Sequence, residues 1–235
     1  MPLEGFTRVP VCSACLKEPE PLDAEFFCRS CKTPFQNRFP LDSDGVCALC
    51  REGLRGFNDA YCFGTYGGTL RGLIHLFKYR GVKPLAGHLA RLLRDAAPLD
   101  RRFDAVVPIP LHWRKHWERG FNQSELLAKE IGRHRGVPAI NALRRRRATS
   151  TQAGLSHSAR RRNVAGAFAV TNKQAIAGKR ILLVDDVMTT GATASACGAA
   201  LKAAGAVSVT LLTIARVDRR IAQTPKAGSE APRTT

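Results

Sequence analysis

Thirteen consecutive residues, 181–193, combine apolar, acidic and hydroxyl side chains in an order that suits ligand binding. Four aliphatic residues come first and predict a buried strand. Two acids, Asp185 and Asp186, follow near the end of that strand, and a loop rich in Thr and Gly spans residues 189–193. Small residues that favour a helix come next, so we expect the loop to lead directly into a helix.

The residue types in this segment suit a phosphate and a sugar. Open α/β sheets bind ligands beyond the carboxyl ends of their strands, where loop amides, Thr hydroxyls and the first amides of a helix can donate hydrogen bonds to a phosphate. Gly191 would let the backbone approach the ligand closely. Carboxylates repel a phosphate, so we expect Asp185 and Asp186 to face ribose hydroxyls and a divalent cation. The alternative, a strand end followed by a helix cap, accounts for one polar residue, whereas the segment contains five.

The same segment resembles the phosphoribosyl pyrophosphate (PRPP) motif of type I phosphoribosyltransferases, with an apolar run, an acid pair, Thr-Thr-Gly, then Ala and Thr. A Walker A loop is excluded because the chain contains no Gly-Lys-Ser or Gly-Lys-Thr. The resemblance implies that Mg²⁺ bridges the pyrophosphate and the ribose hydroxyls, and that Asp185 and Asp186 stabilise the ribose. The residues implied to bind PRPP are Val187, Met188, Thr189, Thr190, Gly191, Ala192 and Thr193.

A second polar segment, residues 107–124, lies at the end of another predicted strand. Apolar residues and two prolines at 103–110 predict a buried strand that ends at residue 110. The sequence Glu-Arg-Gly-Phe-Asn-Gln at 118–123 follows a cluster of cations and opens a predicted helix. Guanidinium groups and backbone amides at such a turn suit pyrophosphate oxygens. The candidate ligands in this turn are Arg119, Gly120, Asn122 and Gln123.

Lys78 is a further candidate for neutralising a leaving pyrophosphate, together with Arg119 and the arginines at 144–147. It lies on a predicted helix, where a Lys side chain can equally be surface charge. No general base can be assigned from the sequence. His112 and His116 lie near the pyrophosphate turn, but beside two Trp residues they can also pack or bind phosphate.

Six of the eight cysteines form three Cys-x-x-Cys pairs within the first fifty residues. Two such pairs supply the four thiolates of a tetrahedral Zn²⁺ site, and a gap of fifteen residues between the second and third pairs suits a zinc ribbon. The expected ligands are therefore Cys28, Cys31, Cys47 and Cys50. In a competing quartet, Cys12 and Cys15 replace the third pair. Disulfides are the remaining alternative, which a reducing intracellular setting disfavours.

The chain is strongly basic, with 37 Lys and Arg against 19 Asp and Glu, a net charge of +18 and a pI of about 10.3. Such an excess favours polyanionic partners, including nucleic acids and polyphosphorylated ligands. Arginines cluster at 144–147 and 160–162, although these runs can also be solvated faces of an Arg-rich protein. No apolar run approaches the roughly 18 residues of a membrane helix, and no secretory signal is visible. We therefore expect a cytoplasmic protein without membrane insertion.

The periodicity of the remaining sequence alternates helices with strands. Helices are predicted at 70–79, 84–97 and 121–136, and strands at 167–172, 181–187 and 207–217. This alternation predicts an α/β fold with a doubly wound, mainly parallel sheet. We expect a Cys-rich zinc module at 1–55 that is too small to hold its own core, an α/β domain at 56–221, and a disordered tail at 222–235.

The Cys pairs, the turn at 118–123 and the PRPP-like segment together resemble the ComF family, in which a zinc ribbon precedes a phosphoribosyltransferase domain. The resemblance extends to residues 77–81 and to residues 149–164, which are similar to the flexible hood loop of type I enzymes. That family often has four Cys pairs, whereas this chain has three, which implies one zinc ion.

The resemblance implies binding of PRPP with Mg²⁺ and a link to DNA uptake and natural transformation. Implied partners are single-stranded DNA and other DNA-uptake proteins. Two functions stay open at this point. The first is a Mg²⁺-dependent phosphoribosyltransferase with an unknown acceptor. The second is a non-catalytic factor that handles single-stranded DNA and uses PRPP only for sensing or structure.

Overall fold

The computed structural model describes residues 9–23, 25–31, 33–35, 38–51, 56–111, 113–146 and 166–217. None of the helices in these ranges is long and apolar enough to cross a membrane. The elements in chain order are α1 (Ser13–Lys17), β1 (Phe26–Phe27), β2 (Pro34–Phe35), α2 (Ala48–Arg51), β3 (Asp59–Thr65), α3 (Gly68–Tyr79), α4 (Leu85–Ala96), β4 (Ala105–Pro108), α5 (Trp113–Arg119), α6 (Gln123–Arg135), β5 (Leu143–Arg145), β6 (Phe168–Val170), β7 (Arg180–Met188), α7 (Ala192–Ala203) and β8 (Ser208–Arg216).

Four parallel strands form the central sheet, in the order β3-β8-β7-β4. Residues 138–140 continue the sheet beyond β4, because the Val106 amide donates to the Pro138 carbonyl at 2.9 Å and the Ile140 amide donates to the Val106 carbonyl at 2.8 Å. The predicted α/β class with a mainly parallel sheet is confirmed. A small antiparallel pair, β1 with β2, lies in the Cys-rich segment.

Both faces of the central sheet are covered. On one face, Leu182 and Leu212 join a cluster of buried side chains from α3, α4 and α6. On the other face, Leu183 and Leu211 join a cluster that contains α7 residues and the four cysteines of the second and third pairs. The near-continuous apolar runs of β7 and β8 follow from this burial on two faces.

Three local features differ from the sequence-based expectation. The strand predicted at 167–172 forms β6, but it pairs with β5 outside the central sheet, where Phe168 packs into the cluster that contains α7. No element was predicted for β3, whose Asp and Gly lower its strand propensity. Its pairing with β8 supplies the missing stabilisation. The short helix α5 was also missed, since seven mostly polar residues give little periodicity.

Candidate functional site

The Thr- and Gly-rich loop after β7 has the expected geometry. Gly191 has a φ of 77°, in the left-handed region that favours glycine, and it precedes α7. The Ala192 amide donates to the Thr190 hydroxyl at 3.3 Å, and the Ser195 amide donates to the Gly191 carbonyl at 2.8 Å. These contacts form a tight turn that leads directly into α7.

A cavity of about 130 Å³ lies at this loop. Since a cavity needs about 10–15 Å³ by this measure to hold one water, this one has room for a phosphate group. Its lining residues are Asp185, Val187, Met188, Thr189, Thr190, Gly191, Ala192, Thr193, Ala194, Leu211 and Thr213. The structure therefore gathers all seven sequence-predicted loop residues around one small polar cavity.

Asp185 is the acid that faces this cavity. Its Oδ1 accepts hydrogen bonds from the Ser124 hydroxyl and from the Asp186 amide, both at 2.9 Å. Burial, followed by the neighbouring Asp186 carboxylate, raises the pKa of Asp185 to about 7. The Asp185 carboxyl therefore changes its charge near neutral pH.

Asp186 has different surroundings, because it is bound to Lys78 from α3. The Lys78 Nζ lies 2.7 Å from Asp186 Oδ1, with side-chain exposures of 14% and 5%. Burial alone would lower the pKa of Lys78, but the Asp186 carboxylate outweighs it and the pKa is raised. The second oxygen of Asp186 is buried and has no hydrogen-bond partner among the described residues.

The turn at 118–123 is joined to the end of β4 and to the acid pair. Asn122 caps α6, since its side chain accepts from the Ser124 amide at 3.1 Å and donates to the Ile109 carbonyl at 3.1 Å. Gly120 has a φ of 72°. Gln123 is buried, and its Oε1 has no hydrogen-bond partner among the described residues. Asn122 thus helps to place Ser124 beside Asp185.

Arg119 packs near α3 at this turn. Its guanidinium lies 4.7 Å from the ring centroid of Tyr79, which is 58% exposed. The Phe121 ring lies 5.8 Å from that of Phe77 on the same helix. The segment at 77–81 and the turn at 118–123 are therefore neighbours.

Ser124 is a site residue to which the sequence assigned no role. It was visible only as the residue that follows the Glu-Arg-Gly-Phe-Asn-Gln sequence, and its contact with Asp185 spans 61 residues. The predicted hood loop at 149–164, Arg147 and His112 lie outside the described residues, as do the side chains of Arg114 and His116. Arg144 and Arg146 are exposed.

Four buried cysteines form a cluster that could hold a metal ion such as zinc. The sulfurs of Cys28, Cys31, Cys47 and Cys50 all lie within 4.8 Å of one another. The Cys28 and Cys50 sulfurs are 3.7 Å apart, as are the Cys31 and Cys47 sulfurs. A tetrahedron with Zn–S distances of about 2.3 Å has sulfur–sulfur edges of about 3.8 Å, so the donor set fits zinc.

The remaining Cys pair lies outside this cluster. Cys12 is exposed and Cys15 is half-buried, and the Cys15 amide donates to the Cys12 sulfur at 3.4 Å. Among the described residues, the only group of cysteines close enough to bind one metal ion is the one that contains Cys28. The competing quartet with Cys12 and Cys15 is therefore not the one that the fold brings together.

A family model for the phosphoribosyl transferase domain matches residues 88–229, which places the chain among the proteins that carry this domain. Competence protein F of Haemophilus influenzae is 30% identical over 214 residues, which cover 88% of this chain and 90% of that protein. DNA utilization protein YhgH of Escherichia coli K12 is 31% identical over 213 residues, with coverage of 88% and 90%. The chain belongs to the ComF family of phosphoribosyltransferase-domain proteins.

A solved structure also matches part of the chain. It is the glutamine phosphoribosylpyrophosphate (PRPP) amidotransferase of B. subtilis complexed with ADP and GMP, with a TM-score of 0.39 and 22% identity. The match covers 55% of this chain and 26% of that chain.

Proposed function

We propose that this protein binds PRPP with Mg²⁺ between the loop at 189–193 and the turn at 118–123, as a phosphoribosyltransferase-like protein that acts in DNA uptake. The acid pair near the carboxyl end of β7 carries the proposal. Asp185 lines the loop cavity, and one buried oxygen of Asp186 has no partner among the described residues. An unpartnered buried oxygen is costly unless a ligand donates a hydrogen bond to it. A ribose hydroxyl or a water bound to Mg²⁺ is such a donor.

The residues have distinct roles in this proposal. Loop amides and Thr hydroxyls at 189–193 hold the 5-phosphate, and Asp185 with Asp186 holds the ribose side. Lys78 neutralises Asp186 across 2.7 Å, so we assign it to positioning that acid rather than to contacting pyrophosphate. Arg119 is the remaining candidate cation of the turn, where Gly120, Asn122 and Gln123 shape the backbone.

Transfer would break the bond between ribose C1 and a pyrophosphate oxygen and form a bond from C1 to the acceptor. The electron pair leaves with the pyrophosphate, and catalysis rests on positioning and on neutralising that charge. Mg²⁺ held by PRPP and the acid pair would supply part of this neutralisation.

Calorimetric titration with PRPP and Mg²⁺ tests the binding proposal. Wild type should bind, and Asp185→Asn with Asp186→Asn should lose at least about tenfold in affinity, or about 1.4 kcal/mol. Asp95→Asn is the matched control, because Asp95 is exposed on α4. No heat from wild type at millimolar ligand would contradict the proposal. Release of pyrophosphate in the presence of candidate acceptors then separates turnover from binding.

A second function is favoured by the net charge of +18 and by the relatives named for competence and DNA utilization. In it, the protein handles single-stranded DNA and uses PRPP only for sensing or structure. Binding should weaken steeply with salt and should fall when the exposed Arg144 and Arg146 are changed to Gln, with the acid pair unchanged. A gel shift that salt does not affect would rule out this electrostatic mode.

We propose that the cluster of Cys28, Cys31, Cys47 and Cys50 binds one structural Zn²⁺. The sulfur spacing and the burial of all four residues support this. Metal analysis of the purified chain should return about one equivalent. A value below about half an equivalent would contradict a zinc site.

A further inference from the structure

Arg216, at the end of β8, is buried in a place that the proposed function does not explain. It is only 1% exposed, and it heads the largest fully buried side chains of the described residues. Its Nη1 donates to the Cys31 carbonyl and contacts the Met188 sulfur at 3.2 Å. Its Nη2 lies 3.6 Å from the Cys31 sulfur. The guanidinium therefore lies between a cysteine of the metal cluster and the residue that precedes Thr189.

A buried guanidinium needs a negative partner. Moving an unpaired charge out of water costs several kcal/mol, yet none of the ion pairs between described residues includes Arg216. Four thiolates around one divalent ion carry a net charge of about −2. The metal–thiolate centre, which Arg216 contacts at the Cys31 sulfur, is thus the counterion for its guanidinium.

The main chain ties Arg216 to the phosphate loop. Arg216 pairs with Met188 in the parallel ladder, and the Val217 amide donates to the Met188 carbonyl at 3.0 Å. Met188 also belongs to the same buried cluster as the four cysteines and as Ala192 and Ala194 of α7. A shift of the guanidinium would therefore displace Met188, the residue directly before the loop.

A second set of contacts lies where the Cys-rich module at 1–55 ends. The Gly56 amide donates to the Ser195 hydroxyl at 3.2 Å. A Cβ on Gly198 would come within 2.2 Å of the Gly56 carbonyl oxygen, so α7 and the backbone directly after the module are in close contact. The four cysteines of the module also share one buried cluster with Ala192 and Ala194 of α7, so the module is packed against the helix that follows the loop.

We propose that Arg216 is a positioning residue through which metal bound by the four cysteines holds the loop at 189–193 in its ligand-binding form. With the metal in place, the guanidinium is paired with the thiolates and Met188 is fixed. Without it, Arg216 loses its counterion, and the loop opens. The metal site then regulates the anion site. The identity of that anion as PRPP rests on the proposed function, whereas the coupling does not.

Hydrogen exchange tests the coupling without PRPP. We expect chelation of the metal-loaded full chain to speed exchange of the amides at 189–193 by at least about tenfold, while α4, on the other face of the sheet, stays protected. Arg216→Met should speed exchange of the same amides with metal still present, and should release zinc to a competing chelator at least about tenfold more readily. Arg216→Lys keeps a charge but not the planar fork, so it should fall between.

Two further variants keep the test decisive. Arg180→Met is the matched control, because it removes an exposed guanidinium that pairs with Asp104, the residue directly before β4. It should leave loop exchange and zinc release unchanged. If Arg216→Met does not fold, Met188→Leu removes only the sulfur contact at similar volume and should also speed loop exchange.

The outcomes separate this inference from the proposed function. Loop exchange that chelation leaves unchanged, equal opening of the loop and α4, or a purified chain without metal would each overturn the coupling. If PRPP and Mg²⁺ bind equally well with and without zinc in the cysteine cluster, the coupling is also overturned, while the proposed PRPP site stands. A metal-dependent loop in a chain that does not bind PRPP would support the coupling and reject the proposed ligand.

Discussion

Asp185 is expected to make binding of PRPP and Mg²⁺ depend on pH near neutrality. Its pKa is raised to about 7, first by burial and then by Asp186, and the ionised form is the one that can hold Mg²⁺ and the ribose. The apparent dissociation constant is the intrinsic one divided by the ionised fraction. Affinity should therefore fall about twofold at pH 7 and about elevenfold at pH 6, relative to high pH.

Calorimetry between pH 6 and pH 8.5, in buffers with different ionisation enthalpies, measures both the affinity and the protons released. At pH 7 about half a proton should leave Asp185 on binding, and at pH 8 about one tenth. Asp185→Asn has no proton to lose, so the pH dependence that it retains belongs to the ligand phosphates and to other groups. Subtracting it from wild type isolates the contribution of Asp185.

Two results would refute this reasoning. The first is an identical pH dependence for wild type and Asp185→Asn. The second is an Asp185 carboxyl carbon that titrates near pH 4 in an NMR experiment without ligand, since the buried acid pair would then not raise the pKa of Asp185.

The same raised pKa has a consequence for stability. The folded state holds the Asp185 proton more tightly than the unfolded state, so this group lowers stability as the pH rises from about 4 to about 7. Asp185→Asn should consequently be more stable than wild type at pH 8, and urea unfolding curves should show this difference shrinking as the pH falls toward 4.

Three further predictions concern the groups around the acids and the metal cluster. Ser124→Ala removes a hydrogen bond that lowers the pKa of Asp185, so the binding midpoint should rise by roughly one pH unit; an unchanged midpoint in the same calorimetric series would contradict that contact. Lys78→Met leaves a buried carboxylate without its counter-charge and should lower the free energy of unfolding by about 3–5 kcal/mol, whereas urea curves that match wild type would show that the pair is not buried in solution. Cys50→Ala should lose the metal and Cys12→Ala should retain one equivalent by metal analysis, and the reverse pattern would favour the other quartet.

The parts of the site that could be predicted from the sequence are those that are contiguous in the chain. β7, the loop at 189–193 and α7 follow one another, so residue order alone gives their arrangement in space. The three Cys pairs are similarly local, and their spacing favoured the quartet that the fold brings together. The fold class could be predicted because apolar runs and helical periodicity are also local patterns.

The contacts that define the electrostatics of the site could not be predicted in the same way. Lys78 reached the candidate set as a possible pyrophosphate ligand, but its partner in the structure is Asp186. That pairing depends on how α3 packs against β7. Ser124 and Arg216 meet their partners only through tertiary packing, across 61 and 185 residues of sequence. The small sheet of β5 and β6 was missed because β5 is a three-residue, mostly basic segment whose strand conformation depends on its pairing with β6.

The contact between Arg216 and Cys31 also bears on how the chain is made. The two residues are 185 positions apart, which takes a ribosome about 10–40 s at the usual rate of synthesis. During that interval the cysteines have left the ribosome, but β8 and α7, which bury them, do not yet exist. The thiols of a nascent chain are then open to oxidation and to competing metals. Completion of β8 both closes the central sheet and shields the cysteine cluster, so the Cys-rich module and β8 reach their final packing together.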